Sequence, residues 1–298
     1  MRHSLRAQIA QRYRVLGYLG EGAQSYVYLV SDNRRPQARW ALKQLRLSEL
    51  PESERPSALS LFQREGEILA RLHHQALPKL IDQGHPTGED PYLVMERVLG
   101  QPLDELLAQR LRPLRVVEAL PLALQITHLL GALHHQDPPI IYRDLKPSNL
   151  ILAPSGMVRL IDFGIARFRT PTSTKDTQEL GTPGFCAPEQ YRGHSWPQSD
   201  IYSLGVTLYY MLTLRDPQSM SFRFPPLEEE IGAPPALSQL VARCLELDHT
   251  KRPADVDEVR CGLFQVLQNY HAPQNRETQP LTLGLQHLSR HLALLEEL

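Results

Sequence analysis

Short stretches of alternating apolar and polar residues dominate the first hundred residues, which is the pattern expected of β-strands. Two such stretches lie within residues 13–30, on either side of a turn rich in glycine. Three more run over residues 40–47, 77–81 and 92–98. These stretches predict a small β-sheet at the start of the chain.

One helix interrupts this series of strands. Residues 51–56 are polar and predict a loop, and Ser57 is a candidate N-cap for the segment that follows. The apolar positions of that segment recur with a period near 3.6 residues; they are Leu61, Ile68, Leu69 and Leu72. The first part of the chain is therefore predicted to be a sheet with a single helix.

After Gly100 the period becomes helical over residues 103–109, 116–135, 199–214 and 237–247. Paired prolines at 225–226 and 234–235 indicate a surface loop between the later helices. A β-rich part followed by a mostly helical part predicts an α+β fold of two lobes, with a cleft in which a ligand could bind.

Composition narrows the functional classes. The 298 residues carry 32 Lys and Arg against 33 Asp and Glu, a net charge of −1. Nucleic-acid-binding modules are usually strongly basic, so we expect no nucleic-acid partner. No uninterrupted apolar run approaches the roughly 20 residues of a membrane helix. Three cysteines without a CxxC pair favour a reducing compartment, the cytoplasm.

The first candidate site for chemistry is the turn Gly20-Glu21-Gly22-Ala23, followed by Val27. Glycines let backbone amides approach a phosphate closely, although many turns between strands contain them without binding anything. The turn leads into a strand and not a helix, which argues against a dinucleotide-binding fold. On the next predicted strand, apolar neighbours favour an inward-facing Lys43 that needs an anionic partner, and Glu65 on the helix could supply it.

A denser cluster of candidate residues is YRDLKPSN at residues 142–149, followed by Asp162-Phe163-Gly164. Asp144 could orient a hydroxyl group and accept its proton, and Lys146 could neutralise a phosphoryl group in transfer. Asn149 and Asp162 offer hard oxygen ligands of the kind that Mg²⁺ prefers. Loops rich in Asp, Pro and Asn are common, so only the combination of these residues in this order indicates a phosphoryl-transfer site.

These motifs together resemble the eukaryotic-type (Hanks-type) serine/threonine protein kinases, in their bacterial form. The resemblance covers residues 12–270 and extends to Ala187-Pro188-Glu189, to Asp200 and to Arg252. It implies an α+β bilobal kinase fold with a small β-rich N-lobe containing one helix (residues 12–98) and a larger, mostly helical C-lobe (99–270). A lead-in (1–11) and a leucine-rich helical tail (271–298) would flank this domain.

The resemblance also implies a role for each matching residue, with ATP and Mg²⁺ or Mn²⁺ as cofactors. The catalytic residues would be Asp144 as base, with Lys146, Asn149 and Lys43. The ATP-binding residues would be Gly20, Glu21, Gly22, Ala23, Val27, Ala41, Lys43, Glu65, Met95, Glu96, Val98, Ile151 and Asp162. The metal ligands would be Asn149 and Asp162. The structural supports would be Tyr142, Arg143, Phe163, Thr182, Glu189, Asp200 and Arg252.

Two positions depart from the family pattern: Tyr142 replaces a histidine, and Ser25 replaces the third glycine of the turn. Neither removes a catalytic polar group. Lys146 and Thr182 favour serine and threonine as acceptors in protein substrates. The alternatives are a nucleotide-binding pseudokinase scaffold and a small-molecule phosphotransferase of related fold.

Regulation is predicted at two segments. Thr174 and Thr177 are candidate autophosphorylation sites, whose phosphates could bond Arg143. Leucines at 281, 285, 288, 292 and 295 form a heptad-like stripe under three heptads long. This stripe could dock on the large lobe, form a homodimer, or begin a further domain.

Overall fold

The computed structural model describes residues 7–22, 24–169 and 181–270, and these divide into two compact units. The first unit comprises the residues up to Gly100 together with Arg159–Arg167. The second comprises Gln101–Val158 and the residues from Phe168 onward. Sequence patterning did not indicate that 159–167 belongs with the N-terminal part. The predictions for Ala23, Thr174, Thr177 and the leucine stripe fall outside the described residues.

The first unit contains an antiparallel sheet in the order β1-β2-β3-β4-β6-β5. Its strands are β1 (Gln8–Ile9), β2 (Tyr13–Gly22), β3 (Ser25–Asp32), β4 (Arg35–Leu45), β5 (Leu80–Gly84) and β6 (Tyr92–Glu96). Inward-facing residues such as Tyr28, Val30, Leu42 and Val94 form one buried cluster of the sheet. The strand predicted over 77–81 begins three residues later, because a turn at 75–76 and a bend at Leu77 come before it.

Helix α1 (Arg55–Arg71) packs its Ala58 and Phe62 against Leu45 and Leu93 of the sheet. Its N-cap is Glu54, three residues before the predicted cap, so the loop assignment of 55–56 and the capping role of Ser57 are wrong. Proline has a fixed φ and no N–H, which suits the first turn of a helix, and Pro56 occupies that turn. Glu65 faces inward from this helix and is 2% exposed.

A partly buried ion-pair network connects β2, β3 and β5 through Arg12, which lies in the turn before β2. Arg12 donates to both carboxylate oxygens of Asp32, at 2.9 and 2.7 Å, and to Asp82 at 2.8 Å. The Tyr13 hydroxyl donates to the same Asp82. The hydrogen bond from Arg12 holds the pKa of Asp32 below its ordinary value. This network connects the start of β2, the end of β3 and the middle of β5, and no local sequence pattern predicted it.

We expect Arg12→Met to lower the free energy of unfolding by about 2 kcal/mol at pH 7, because Asp32 would stay buried without its guanidinium partner. A carboxyl whose folded pKa is lowered stabilises the fold above its unfolded pKa, and this contribution is lost as the pH falls. The difference from wild type should therefore shrink between pH 5 and pH 3 in urea titrations. Arg14→Met, at an exposed position of β2, is the control; equal losses in both variants at every pH would contradict the account.

The second unit is mostly helical, as predicted. Its helices are α2 (Leu103–Arg110), α3 (Val116–His134), α4 (Pro197–Thr213), α5 (Leu227–Ile231), α6 (Pro235–Cys244) and α7 (Val256–Tyr270). The loop assigned to the paired prolines is partly wrong, because Pro226 and Pro234 stand at the N-caps of α5 and α6. Helix α7 went unpredicted. Short strands at Gln101–Pro102, Ile140–Ile141 and Leu150–Leu152 belong to this unit, and two more, Val158–Leu160 and Arg167–Phe168, lie at the unit boundaries.

Helix α3 is long and apolar enough, by length and composition, to cross a membrane. A search for uninterrupted apolar runs does not select it, because Glu118 and Gln125 break its sequence. Ten of its residues are buried, and it packs against α4 and α7. A core helix passes the same test, so packing accounts for its hydropathy.

Candidate active site

The glycine-rich turn joins β2 to β3, with Gly20 opposite Val27 and Gly22 opposite Ser25. Neither Gly20 nor Gly22 adopts a positive φ, so the turn does not use glycine for a left-handed backbone. A Cβ atom at Gly20 would meet nothing within 4 Å. Glycine instead leaves open space beside the backbone here, as close approach of a phosphate requires. The carboxylate of Glu21 accepts a hydrogen bond from the Tyr18 hydroxyl at 3.0 Å.

Lys43 lies at the centre of a three-residue cluster in the first unit. Its Nζ is 2.7 and 2.8 Å from the two carboxylate oxygens of Glu65, which confirms the partner predicted from sequence. The same Nζ is 2.7 Å from Oδ1 of Asp162. Residues of β4, α1 and the segment 159–167 are thereby brought to one point. Glu65 is buried, whereas Asp162 is 45% exposed.

Electrostatics keep the Lys43 ammonium charged. Burial alone would lower its pKa, but the charges of Asp162 and Glu65 outweigh burial and raise the pKa above its ordinary value. Burial raises the pKa of Glu65, and the Lys43 charge opposes that increase. Two carboxylates share one ammonium, so the cluster has surplus negative charge on the exposed Asp162 side.

The backbone at Asp162 has an unusual conformation. Its φ is +63°, a left-handed value that aspartate tolerates better than bulky residues do. The Gly164 N–H donates to Asp162 Oδ1 at 3.1 Å, while Phe163 between them is buried. A Cβ atom at Gly164 would lie 3.2 Å from that same oxygen. The turn thus aims the carboxylate at Lys43, and a larger residue at 164 would crowd it.

In the second unit, Asp144 is surrounded by three residues that the sequence singled out, Lys146, Asn149 and Thr182. Its Oδ1 accepts from the Thr182 N–H at 3.1 Å and from the Thr182 hydroxyl at 2.7 Å. Its Oδ2 accepts from Lys146 Nζ at 2.8 Å and from Asn149 Nδ2 at 3.0 Å. Lys146 also donates to the Thr182 hydroxyl. We call Asp144, Lys146, Asn149 and Thr182 the acceptor cluster.

Asp200 supports the backbone that leads into the acceptor cluster. This fully buried carboxylate on α4 accepts from the backbone N–H of Tyr142 at 2.8 Å and of Arg143 at 2.7 Å. Arg143 has a φ of +75°, so these bonds hold a strained turn directly before Asp144. Nε2 of His134 lies 2.8 Å from Asp200 Oδ2. The resemblance implied the supporting role of Asp200, but no feature of the sequence pointed to His134.

Glu189 and Arg252 form a bidentate ion pair, at 2.7 and 2.9 Å, as the resemblance implied. Burial by itself raises the pKa of Glu189, but hydrogen bonds from Arg252 and Ser199 outweigh it and hold the pKa below its ordinary value. Gln190, the next residue, donates from Nε2 to the Arg143 carbonyl at 3.0 Å. Nothing in the local sequence pattern of Gln190 marks it as a functional residue.

The residues predicted to contact adenine lie on strands of both units. In the first unit Ala41 is opposite Met95 in the β4–β6 pair, and Val27 is opposite Lys43 in the β3–β4 pair. The Glu96 N–H donates to the Lys79 carbonyl at 2.9 Å. The predicted backbone contact of Glu96 with adenine would therefore be made by its carbonyl. Val98 follows β6 in the chain. Ile151 belongs to the second unit, on the strand Leu150–Leu152. Their contact with adenine stays a prediction.

The two predicted metal ligands offer suitable chemistry. Asp162 presents a carboxylate with surplus negative charge, and Asn149 has an amide oxygen besides the Nδ2 that bonds Asp144. Mg²⁺ commonly takes only one or two protein oxygens and fills its other positions with phosphate and water. Among the described residues no group of three or more His, Cys, Asp or Glu side chains could hold a metal by itself. Each residue by itself offers the chemistry of a ligand for a metal brought in with a nucleotide, Asp162 in the first unit and Asn149 in the second.

Comparisons with known proteins agree with this geometry. The family model "Protein kinase domain" matches residues 13–264. Serine/threonine-protein kinase A of Synechocystis sp. is 31% identical over 92% of this chain, and the match spans 57% of that protein. PknL of Mycobacterium tuberculosis, a serine/threonine-protein kinase, is 32% identical over 92% of this chain and 70% of its own length. The crystal structure of the M. tuberculosis PknI kinase domain matches with a TM-score of 0.70 and 25% identity, covering 89% of this chain and 99% of that one.

Proposed function

Because the chain belongs to the protein kinase family and is similar to bacterial serine/threonine protein kinases, we propose that it transfers the γ-phosphoryl group of ATP to serine and threonine hydroxyls of proteins. The observation that carries the proposal is the acceptor cluster. A carboxylate, an ammonium and an amide converge there with a threonine hydroxyl, at distances of 3.1 Å or less. This set can orient a hydroxyl and stabilise a phosphoryl group.

In the proposed transfer one bond to phosphorus forms, one breaks, and Asp144 takes up the released proton. The acceptor oxygen forms a bond to the γ-phosphorus, the bond from that phosphorus to the β–γ bridging oxygen breaks, and ADP leaves. The acceptor proton passes to Asp144, and Lys146 stabilises the charge on the transferring group. Lys43, fixed by Glu65, contacts the phosphates of the nucleotide. A divalent ion held by Asn149 and Asp162 would neutralise phosphate charge when bound.

Thr182 has a specific part in admitting the substrate. A carboxylate has about four hydrogen-bond acceptor positions, and Asp144 already receives four bonds. An incoming hydroxyl must therefore replace one of them. The Thr182 hydroxyl costs least to move, because it can rotate while its backbone N–H keeps its bond. We infer that the acceptor hydroxyl takes the place of Thr182 Oγ1 on Asp144.

One assay distinguishes the proposed protein kinase from the two alternative functions. The purified protein is incubated with γ-labelled ATP and Mg²⁺, in parallel with a generic basic protein and with an aminoglycoside panel. Label on the protein at serine and threonine supports the proposal. Label on aminoglycosides alone would indicate a small-molecule phosphotransferase, and nucleotide binding without any transfer would indicate a pseudokinase scaffold.

Autophosphorylation is part of the proposal, at Thr174 or Thr177. Arg143 is fully buried next to Asp144, and a phosphorylated threonine could form charge-assisted bonds with such a guanidinium. After incubation with ATP, mass spectrometry should find phosphate between residues 165 and 180. An unmodified segment in a protein that phosphorylates other substrates would contradict this part alone.

Domain limits, partners and compartment belong to the same proposal. Residues 12–270 would form the catalytic domain, with the N-lobe at 12–98 and the C-lobe at 99–270. The leucine stripe would dock on the C-lobe or pair with a second copy. All three cysteines are free thiols, and Cys186 and Cys244 are buried, which suits a reducing compartment such as the cytoplasm.

A further inference from the structure

Trp196 lies against two basic side chains of the second unit. The guanidinium carbon of Arg169 is 4.6 Å from the centroid of the Trp196 ring. The His249 imidazole stacks on the same ring, with centroids 5.4 Å apart and planes within 6°. Arg169 is fixed through its backbone as well, because its N–H donates to the Pro139 carbonyl at 2.7 Å. Tryptophan offers the best aromatic face for a cation, so the ring holds Arg169 in place.

The backbone of Trp196 is connected to Glu189 through Ser199. Its N–H donates to Ser199 Oγ at 3.0 Å, and the Ser199 N–H donates to the Trp196 carbonyl at 2.8 Å. The Ser199 hydroxyl in turn donates to Glu189 Oε1 at 2.6 Å. Glu189 is the residue clamped by Arg252. Trp196 is therefore two hydrogen bonds away from this ion pair.

Glu189 and Thr182 belong to one short, internally bonded loop. The Cys186 N–H donates to the Thr182 carbonyl at 3.1 Å. Gln190 follows Glu189 and bonds both the Ala187 N–H and the Arg143 carbonyl. A displacement at Glu189 would thus reach Thr182, and through its two bonds it would reach Asp144.

We propose that Trp196 is a positioning residue for the acceptor site. Its ring fixes Arg169, which precedes residues 170–180, and its backbone fixes Glu189, which follows them. One residue thereby holds both points, Arg169 through its side chain and Glu189 through its backbone. This inference rests on the proposed function. It predicts an effect on protein-substrate binding and little effect on ATP, whose predicted phosphate contact, Lys43, lies in the first unit.

Five single variants and one double variant test the proposal. Trp196→Leu removes the aromatic face, and Trp196→Phe keeps one. Arg169→Met removes the cation while keeping the side-chain length, and Arg169→Lys restores a charge. Arg243→Met is the matched control, because it removes an arginine from an exposed ion pair with Glu258 in the same unit.

Kinetics and hydrogen exchange should change together. We expect Trp196→Leu and Arg169→Met each to raise the KM for a basic protein substrate by about tenfold, with the KM for ATP unchanged. The double variant should be no worse than Trp196→Leu alone, because both changes break the same contact. Trp196→Phe and Arg169→Lys should recover most of the loss. The amide protons of Thr182 and Cys186 should exchange about tenfold faster in the two disruptive variants only.

Other results would overturn the proposal. Additive effects in the double variant, equal changes in both KM values, or a loss in Arg243→Met of the same size would each show a merely structural role. If Trp196→Leu does not fold, Arg169→Met and Trp196→Phe still decide the question. If the wild type transfers no phosphate, the proposed function fails separately, and unchanged exchange at Thr182 and Cys186 in Arg169→Met would then overturn the positioning role.

Discussion

Asp144→Asn is expected to lower kcat for protein phosphorylation by about 10²- to 10⁴-fold, the usual contribution of a general base. Asparagine has nearly the same shape, but its Nδ2 cannot accept a proton from the substrate hydroxyl. It also cannot accept a bond from both Lys146 and Thr182 as the carboxylate does. The KM for ATP should change little, because Asp144 is not among the predicted nucleotide contacts. Steady-state assays with a basic protein substrate measure both quantities.

Asp248→Asn is a closely matched control for this substitution. Asp248 accepts bonds from the N–H and the hydroxyl of Thr250, at 3.0 and 2.7 Å, much as Asp144 does from Thr182. It lies on the surface of the same unit. The control should keep wild-type kcat. An Asp144→Asn enzyme with kcat within threefold of wild type would contradict the assignment of Asp144 as the base; about threefold is far below any general-base contribution.

Lys43→Met should damage both catalysis and stability. Without the ammonium, Glu65 would be a buried carboxylate that has lost its cation, and removing one member of a buried pair costs about 3–5 kcal/mol. Phosphoryl transfer should fall below detection, because the predicted contact with the ATP phosphates is gone. Urea unfolding at pH 7 and the transfer assay measure the two effects. Lys79→Met, at an exposed position of the same unit, should change neither.

The stability loss of Lys43→Met should depend on pH in a defined direction. In the variant, burial raises the pKa of Glu65 without opposition from Lys43, so the folded state binds a proton more tightly than the unfolded state does. A raised pKa favours the folded state at low pH, and that contribution is lost as the pH rises. The destabilisation should therefore be smaller at pH 5 than at pH 8.

A second substitution separates the two consequences of losing Lys43. Lys43→Met/Glu65→Gln removes the uncompensated carboxylate and should recover most of the lost stability, while transfer activity stays absent. Recovery of activity in the double variant would contradict the role of Lys43 at the phosphates. A double variant as unstable as Lys43→Met would contradict the electrostatic explanation.

Local sequence patterns predicted much of the fold and most residues of the acceptor cluster. The β-strand alternation and helical periods come from local burial, and they placed α2, α3 and α4 to within two residues at each end. Asp144, Lys146 and Asn149 lie in one short segment of the sequence, so their spacing alone brings them close together. Lys43 and Glu65 were paired by a simple rule: an inward-facing lysine needs a carboxylate.

Several contacts between distant parts of the chain had no signal in the sequence. The third member of the Lys43 cluster, Asp162, is 119 residues away, and its left-handed backbone gives no compositional signal. The Arg12 network and the His134–Asp200 pair likewise join segments whose approach is set only by tertiary packing. Trp196 is a further case, because neither Arg169 nor His249 lies near it in sequence. The roles of these side chains depend on where tertiary packing places them, and local sequence does not contain that information.

The most direct test of the account measures where the label of ATP goes. Wild-type protein and Asp144→Asn are incubated separately with α-labelled and γ-labelled ATP, Mg²⁺ and a basic protein, followed by phosphoamino-acid analysis. The account predicts phosphoserine and phosphothreonine only from γ-labelled ATP, and only with the wild type. Label from the α-position, label on tyrosine alone, or equal labelling by Asp144→Asn would contradict it.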